Sequence, residues 1–216
     1  MTTHPGYYIG TAPDGSHTLT YLRGPDTWCC TPHILDLEPA VDLVGTAVHE
    51  AGHIVAALRL GIHVVDVELT PQSVDLGCGP IVVTDGCTQI TYEVPKSAYL
   101  TMLAAGERAH QRWLLDQGLW TPDRAWAVER GARDDQAKAV EVLSQQIPEA
   151  PYSLSALHFW KVRPDADALL QASWDRVVNL GTALADRLCL SGDEAAGLAG
   201  IANPPGLAAS PTEQSW

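Results

Sequence analysis

Residues 48–54 read Val-His-Glu-Ala-Gly-His-Ile, and the spacing of His49, Glu50 and His53 governs how the rest of the chain is read. On a helix that advances about 100° per residue, positions four apart return to nearly the same face, so both imidazoles can reach one metal ion. Glu50 lies about 100° round from His49. A carboxylate there sits beside the metal, where it can take a proton from a metal-bound water.

The surrounding residues support a helix. Val44, Val48, Ala51, Val55 and Leu58 recur at helical spacing and form an apolar stripe beside the two histidines. Pro39 suits a first turn and Gly61 a left-handed C-terminal cap, which predicts a buried helix over 39–60. Gly45 and Gly52 each cost roughly 1 kcal/mol against Ala inside a helix, which suggests a close approach by another segment or by substrate.

Outward from this helix, two β-prone runs at 7–9 and 17–22 flank Asp14-Gly15 and predict an N-terminal hairpin. Strands are expected at 62–69, 79–84 and 88–92, the last two separated by an Asp85-Gly86 turn. Helices are expected at 96–117, 133–147 and 165–190, with a Trp-containing connection broken by Pro122 and a short helix ending near Ala199. Asp134 and Asp135 open the third long helix, a placement the helix dipole favours in any case. The implied organisation is an N-terminal extension over 1–36, a domain over 37–201 and a tail over 202–216.

Thirteen basic residues against 26 acidic ones give a net charge of -13. Phosphate recognition needs clustered Lys and Arg, so a nucleic-acid partner is not expected. The first thirty residues lack a basic start followed by an apolar run, and Arg59 interrupts the apolar stretch after His53, so a cytoplasmic protein without a membrane span is expected. Five cysteines at 29, 30, 78, 87 and 189 include no C-x-x-C pair and are expected to be reduced thiols. Cys30 and His33 have C-x-x-H spacing without a second pair nearby, and with Cys29 they read as structural or incidental.

Three stretches together resemble the peptidase domain of the FtsH-type AAA protease family. They are His49-Glu50-Ala51-Gly52-His53, then Leu103-Ala104-Ala105-Gly106-Glu107-Arg108-Ala109, then Gly131-Ala132-Arg133-Asp134-Asp135-Gln136-Ala137-Lys138-Ala139. The similarity covers 41–143, with a weaker echo at 190–198. The resemblance implies an α+β, mostly helical zincin-like metallopeptidase domain with a small antiparallel sheet beside the motif helix. In that family the third zinc ligand is an aspartate just inside a helix, followed four residues later by an alanine. Asp135, followed by Ala139, takes that register; Asp134, Glu107 and His63 are the rivals.

The resemblance has departures. The chain has no G-x-x-x-x-G-K-[ST] phosphate loop, so ATP-driven unfolding is not available to it alone. Where the family continues into paired acidic residues, this chain has His110 and Gln111. His110 reads more simply as a satisfied structural histidine than as a proton-handling one. The expected activity is hydrolysis of a peptide or protein substrate by a zinc-bound water, with His49, His53 and Asp135 as ligands and Glu50 as general base. An extended peptide is expected to add to the sheet edge near 81–84. A binding module that keeps the peptidase fold, or a zinc hydrolase of small molecules, are the alternatives.

Overall fold

The computed structural model describes residues 6–11, 17–22, 31–75, 79–91, 94–144 and 161–206. Within them the chain is a mostly helical α+β protein. Strands β1 (Gly6–Thr11) and β2 (His17–Leu22) pair antiparallel from Gly6↔Leu22 to Thr11↔His17, as the hairpin reading anticipated. The Asp14-Gly15 tip lies outside the described residues, as do Cys29, Cys30 and Cys78.

The helix carrying the His-Glu-x-x-His motif, α2 (Pro39–Arg59), follows the short α1 (Thr31–Leu35). Its start, at Pro39, is the expected one. It ends at Leu60, whose N–H donates to the Ala56 carbonyl at 3.0 Å, and Gly61 follows at φ +75°. From Ala47 onward almost every residue of α2 is buried, as befits a helix with neighbours on several sides.

Those neighbours are α3 (Lys96–Asp116), α7 (Trp174–Arg187) and the sheet strands β3 (Val64–Asp75) and β4 (Pro80–Ile90). Small residues set the spacing. A Cβ added at Gly52 would lie 2.6 Å from both the Ala105 carbonyl oxygen and Ala109 Cβ, so α2 and α3 touch backbone to backbone there. One turn earlier on α2, Gly181 of α7 abuts Val48. The core they share includes Ile54, Val55, Leu103, Leu114, Leu180 and Leu184.

Strands β4, β3 and β5 (Cys189–Ser191) form one antiparallel sheet in that order. Among the described residues β4 is therefore an edge strand. Asp85-Gly86 is no turn: β4 runs unbroken from Pro80 to Ile90, with Asp85 opposite Thr70 and Gly86 opposite Leu69. Nor does one helix fill 165–190. Two helices stand there, α6 (Arg163–Gln171) and α7, and the chain then enters β5. Leu188, in the left-handed region at φ 65°, ends α7, and its carbonyl accepts from Leu69 N–H at 2.7 Å. That turn delivers Leu190 to its partner Val67 on β3.

Pro122 also begins a helix instead of breaking a connection. It occupies the first turn of α4 (Pro122–Gly131), where a missing N–H costs nothing, and the Thr121 hydroxyl accepts from Arg124 N–H at 3.1 Å. The Arg124 guanidinium donates to the carbonyls of Leu35, Asp36 and Leu119, fastening α1 to α4. α5 (Arg133–Ser144) follows at the expected start. The last helix, α8 (Gly192–Ala199), opens with a reciprocal cap between Ser191 and Glu194. Beyond it, the Asn203 side-chain amide pairs with both backbone groups of Val64 at 3.0 Å. No helix among the described residues is long and apolar enough to cross a membrane.

Asp42, in the first turn of α2, gives a pH test of this packing. Burial pushes its carboxyl up to about 6. The folded state thus holds the Asp42 proton more tightly than the unfolded chain does, and the penalty for ionising it develops as pH rises from the ordinary value of 3.8 through about 6. Asp42→Asn is expected to raise Tm at pH 8 and to lose most of that gain near pH 4. Thermal denaturation at the two pH values checks it; an equal shift at both would show that Asp42 ionisation is not the cause.

Candidate metal centre

Helix α2 brings its two histidines together as the spacing required. His49 Nε2 and His53 Nε2 are 3.0 Å apart. The start of α5 supplies a carboxylate to the same point: Asp135 Oδ2 lies 3.3 Å from His49 Nε2 and 3.2 Å from His53 Nε2. Donor atoms about 2.0–2.2 Å from one tetrahedral zinc stand roughly 3.3 Å from each other, so this triangle has the dimensions of one face of such a site.

The protonation chemistry agrees with that geometry. His53 Nδ1–H donates to the Met102 carbonyl at 2.8 Å. A carbonyl only accepts, so the proton is fixed on Nδ1 and the Nε2 lone pair is left aimed at His49 and Asp135, the tautomer a metal ligand needs. Nitrogen lone pairs and a carboxylate oxygen converging at this distance repel one another unless a cation lies between them. Without a metal, a proton takes that role. Burial works to lower the His53 pKa, but the Asp135 charge and hydrogen bond, the Glu50 charge and the Met102 carbonyl outweigh it and raise it to about 9. Burial likewise works to raise Asp135, yet the charge and hydrogen bonds of the two imidazoles hold it far below the usual carboxylate range. The donor set therefore suits a divalent cation, and binding one would release a proton.

Glu50 is only 5% exposed. His49, Glu50 and His53 each place a potential ligand atom within 4.8 Å of the others, a grouping that could hold a metal ion. The Glu50 carboxylate, however, has another partner: Thr88 Oγ1–H on β4 donates to Oε2 at 2.7 Å. Gly86, two residues earlier on the same strand, faces Glu50 as well, and a Cβ there would lie 2.7 Å from Glu50 Cδ and closer still to Oε1. Thr88 and Gly86 were not singled out from the sequence as site residues. The one local signal was a glycine inside a run of β-formers, which denotes a close approach as often as a turn.

Gly106 of α3 faces the two imidazoles. A Cβ there would be 2.6 Å from His49 Nε2 and closer to His53 Nε2. The adjacent Glu107 turns the other way, its carboxylate 2.8 Å from Arg163 Nη2 and accepting from Gln111 Nε2–H at 3.2 Å. Asp134 is exposed. His63 has its Nδ1 2.7 Å from the Pro204 carbonyl. Of the four candidate third ligands, only Asp135 reaches the histidines among the contacts described.

His110 was expected to be a satisfied structural residue. It is 6% exposed, but its Nε2 has no hydrogen-bond partner among the described residues. Its ring stands edge-on to His49 at 6.4 Å and to Trp113 at 5.9 Å. It fills the space left by Gly45, where a Cβ would meet Nε2 at 2.6 Å. Burial, reinforced by repulsion from His49, lowers its pKa to about 3, so it is a neutral neighbour of the histidine pair.

No family model matches the chain, and no curated protein matches it. The likeness to FtsH-type peptidases therefore stands on the residues themselves. Its firm content is a buried His49-Glu50-His53 group on a helix.

Proposed function

We propose that the protein is a zinc-dependent metallopeptidase that hydrolyses peptide bonds. The observation that carries this reading is the convergence of His49 Nε2, His53 Nε2 and Asp135 Oδ2 within 3.0–3.3 Å, with the Glu50 carboxylate alongside. A purely structural zinc takes four protein ligands, whereas three ligands beside a buried carboxylate leave a position open for chemistry. His49, His53 and Asp135 would hold the metal. When bound, zinc supplies Lewis acidity and a water whose pKa is lowered toward about 7.

With the metal bound, Glu50 would accept the proton released as water adds to the peptide carbonyl and pass it to the amine that leaves when the C–N bond breaks. The Thr88 hydroxyl holds the carboxylate at Oε2, so Glu50 approaches the water in one orientation. β4 pairs with β3 on one side only among the described residues. An extended peptide hydrogen-bonded along its free edge between Gly86 and Thr88 would pass beside Glu50, which shifts the docking segment a few residues beyond 81–84.

Digestion of a peptide library by the zinc-loaded protein, read by mass spectrometry, tests this reading. Cleavage is expected to vanish with a strong zinc chelator and to return on adding zinc. Cleavage indifferent to the chelator would overturn it, as would intact peptides at high enzyme concentration.

A further inference from the structure

A closed circuit of contacts runs around the metal centre. Gly106 abuts His49 and His53, and the next residue, Glu107, meets the Arg163 guanidinium of α6 at 2.8 Å. Arg163 Nη1 also donates to Glu129 Oε1 of α4 at 3.1 Å. The Glu129 carbonyl accepts from Gln136 Nε2–H at 3.0 Å, and the same amide reaches Glu107 Oε2 at a long 3.5 Å. Gln136 adjoins Asp135, whose carboxylate returns to the two histidines. Glu107, Glu129 and Arg163 are all buried.

The placement of these charges calls for an explanation. Burying two carboxylates and a guanidinium is at best a weak source of stability, because desolvation offsets the attraction. What the arrangement does provide is dimension. A planar guanidinium that bridges two carboxylates fixes the separation of their helices, here α3, whose glycine faces the imidazoles, and α4, whose end leads into α5. The Gln136 amide then folds the first turn of α5 back onto the end of α4.

We propose that this circuit aims Asp135 at the histidine pair, with Gln136 and Arg163 as positioning residues that set the metal affinity of the site. The proposal rests on the metal-binding reading above. It predicts that zinc affinity depends on two side chains that touch no metal ligand atom.

The test measures zinc affinity by chelator competition, and the cobalt(II) visible spectrum as a report of ligand geometry, in the full chain. Gln136→Leu keeps the size but removes the amide donor, and Arg163→Lys keeps the charge but replaces the planar bridge by a single ammonium. Each is expected to weaken zinc binding about 10- to 100-fold, the usual effect of losing an outer-shell partner. Each is also expected to alter the cobalt spectrum, with little change in the circular dichroism of the metal-free protein. In an Asp135→Asn background, Gln136→Leu should cost almost nothing further, because its effect passes through Asp135.

Parent-like affinity in both single variants would overturn the proposal while leaving the metal site intact. So would an equal loss from Gln136→Leu with and without Asp135, which is the signature of a merely structural role. Should Gln136→Leu not fold, Arg163→Lys decides by the same measurements. Undiminished zinc in a His49→Ala/His53→Ala protein would instead refute the underlying site, and the positioning proposal with it.

Discussion

With Glu50 replaced by Gln, the protein is expected to keep its zinc and to lose peptide hydrolysis by about 10²–10⁴-fold, the usual contribution of a positioned general base. The replacement is nearly isosteric. The Gln side-chain oxygen can still accept from the Thr88 hydroxyl, so the contact made at 2.7 Å by the native carboxylate survives. The group beside His49 and His53 thus stays where it is and only its ability to take a proton disappears. Elemental analysis and peptide hydrolysis, measured on the same preparation, separate the two properties. An unchanged rate would remove Glu50 from the chemistry, and lost zinc would make it a ligand.

Gly106→Ala is the second large effect, and here the metal is expected to go. The added methyl would sit 2.6 Å from His49 Nε2 and nearer to His53 Nε2, well inside van der Waals contact. Relief by separating the helices would open the close packing of α2 on α3 at Gly52 and Ala105. The imidazoles must then rotate away, which breaks the His53 bond to the Met102 carbonyl and the approach of both rings to Asp135. Zinc affinity is expected to fall by more than the roughly 100-fold that outer-shell losses reach. Gly197→Ala is the control. It changes a helical glycine whose added Cβ meets nothing within 4 Å, so its zinc affinity should match the parent. Retained zinc in Gly106→Ala would mean that the two rings do not form the site.

The His49-Glu50-His53 group could be read from the sequence because its spacing follows helical periodicity. His49 and His53 are one turn apart, so local geometry alone brings them together. The starts of α2 and α5 were marked by Pro39 and the acidic pair at 134–135. Residues whose role depends on a distant strand were not legible. The contact of Thr88 with Glu50 spans 38 positions and has no local pattern. Gly86 was read as a turn because a glycine that makes room and a glycine that bends the chain look alike in one dimension. β5 has three residues, too few to show an alternation, and Pro122 opens a helix by the same property that breaks one elsewhere. The Arg163 bridge joins helices that only tertiary packing brings together.

The outer side of β4 has a consequence apart from catalysis. Its amides and carbonyls face away from β3 and find no strand partner among the described residues. A row of this kind accepts any extended chain, including a partly unfolded copy of the same protein, and is the ordinary starting point of sheet-to-sheet aggregation. The counterweight is repulsion between copies that each carry a net charge of -13. Colloidal behaviour is thereby tied to acidity and ionic strength: approaching the isoelectric point near 4.8, or screening the charge with salt, removes the force that keeps one exposed ribbon from zipping onto the next.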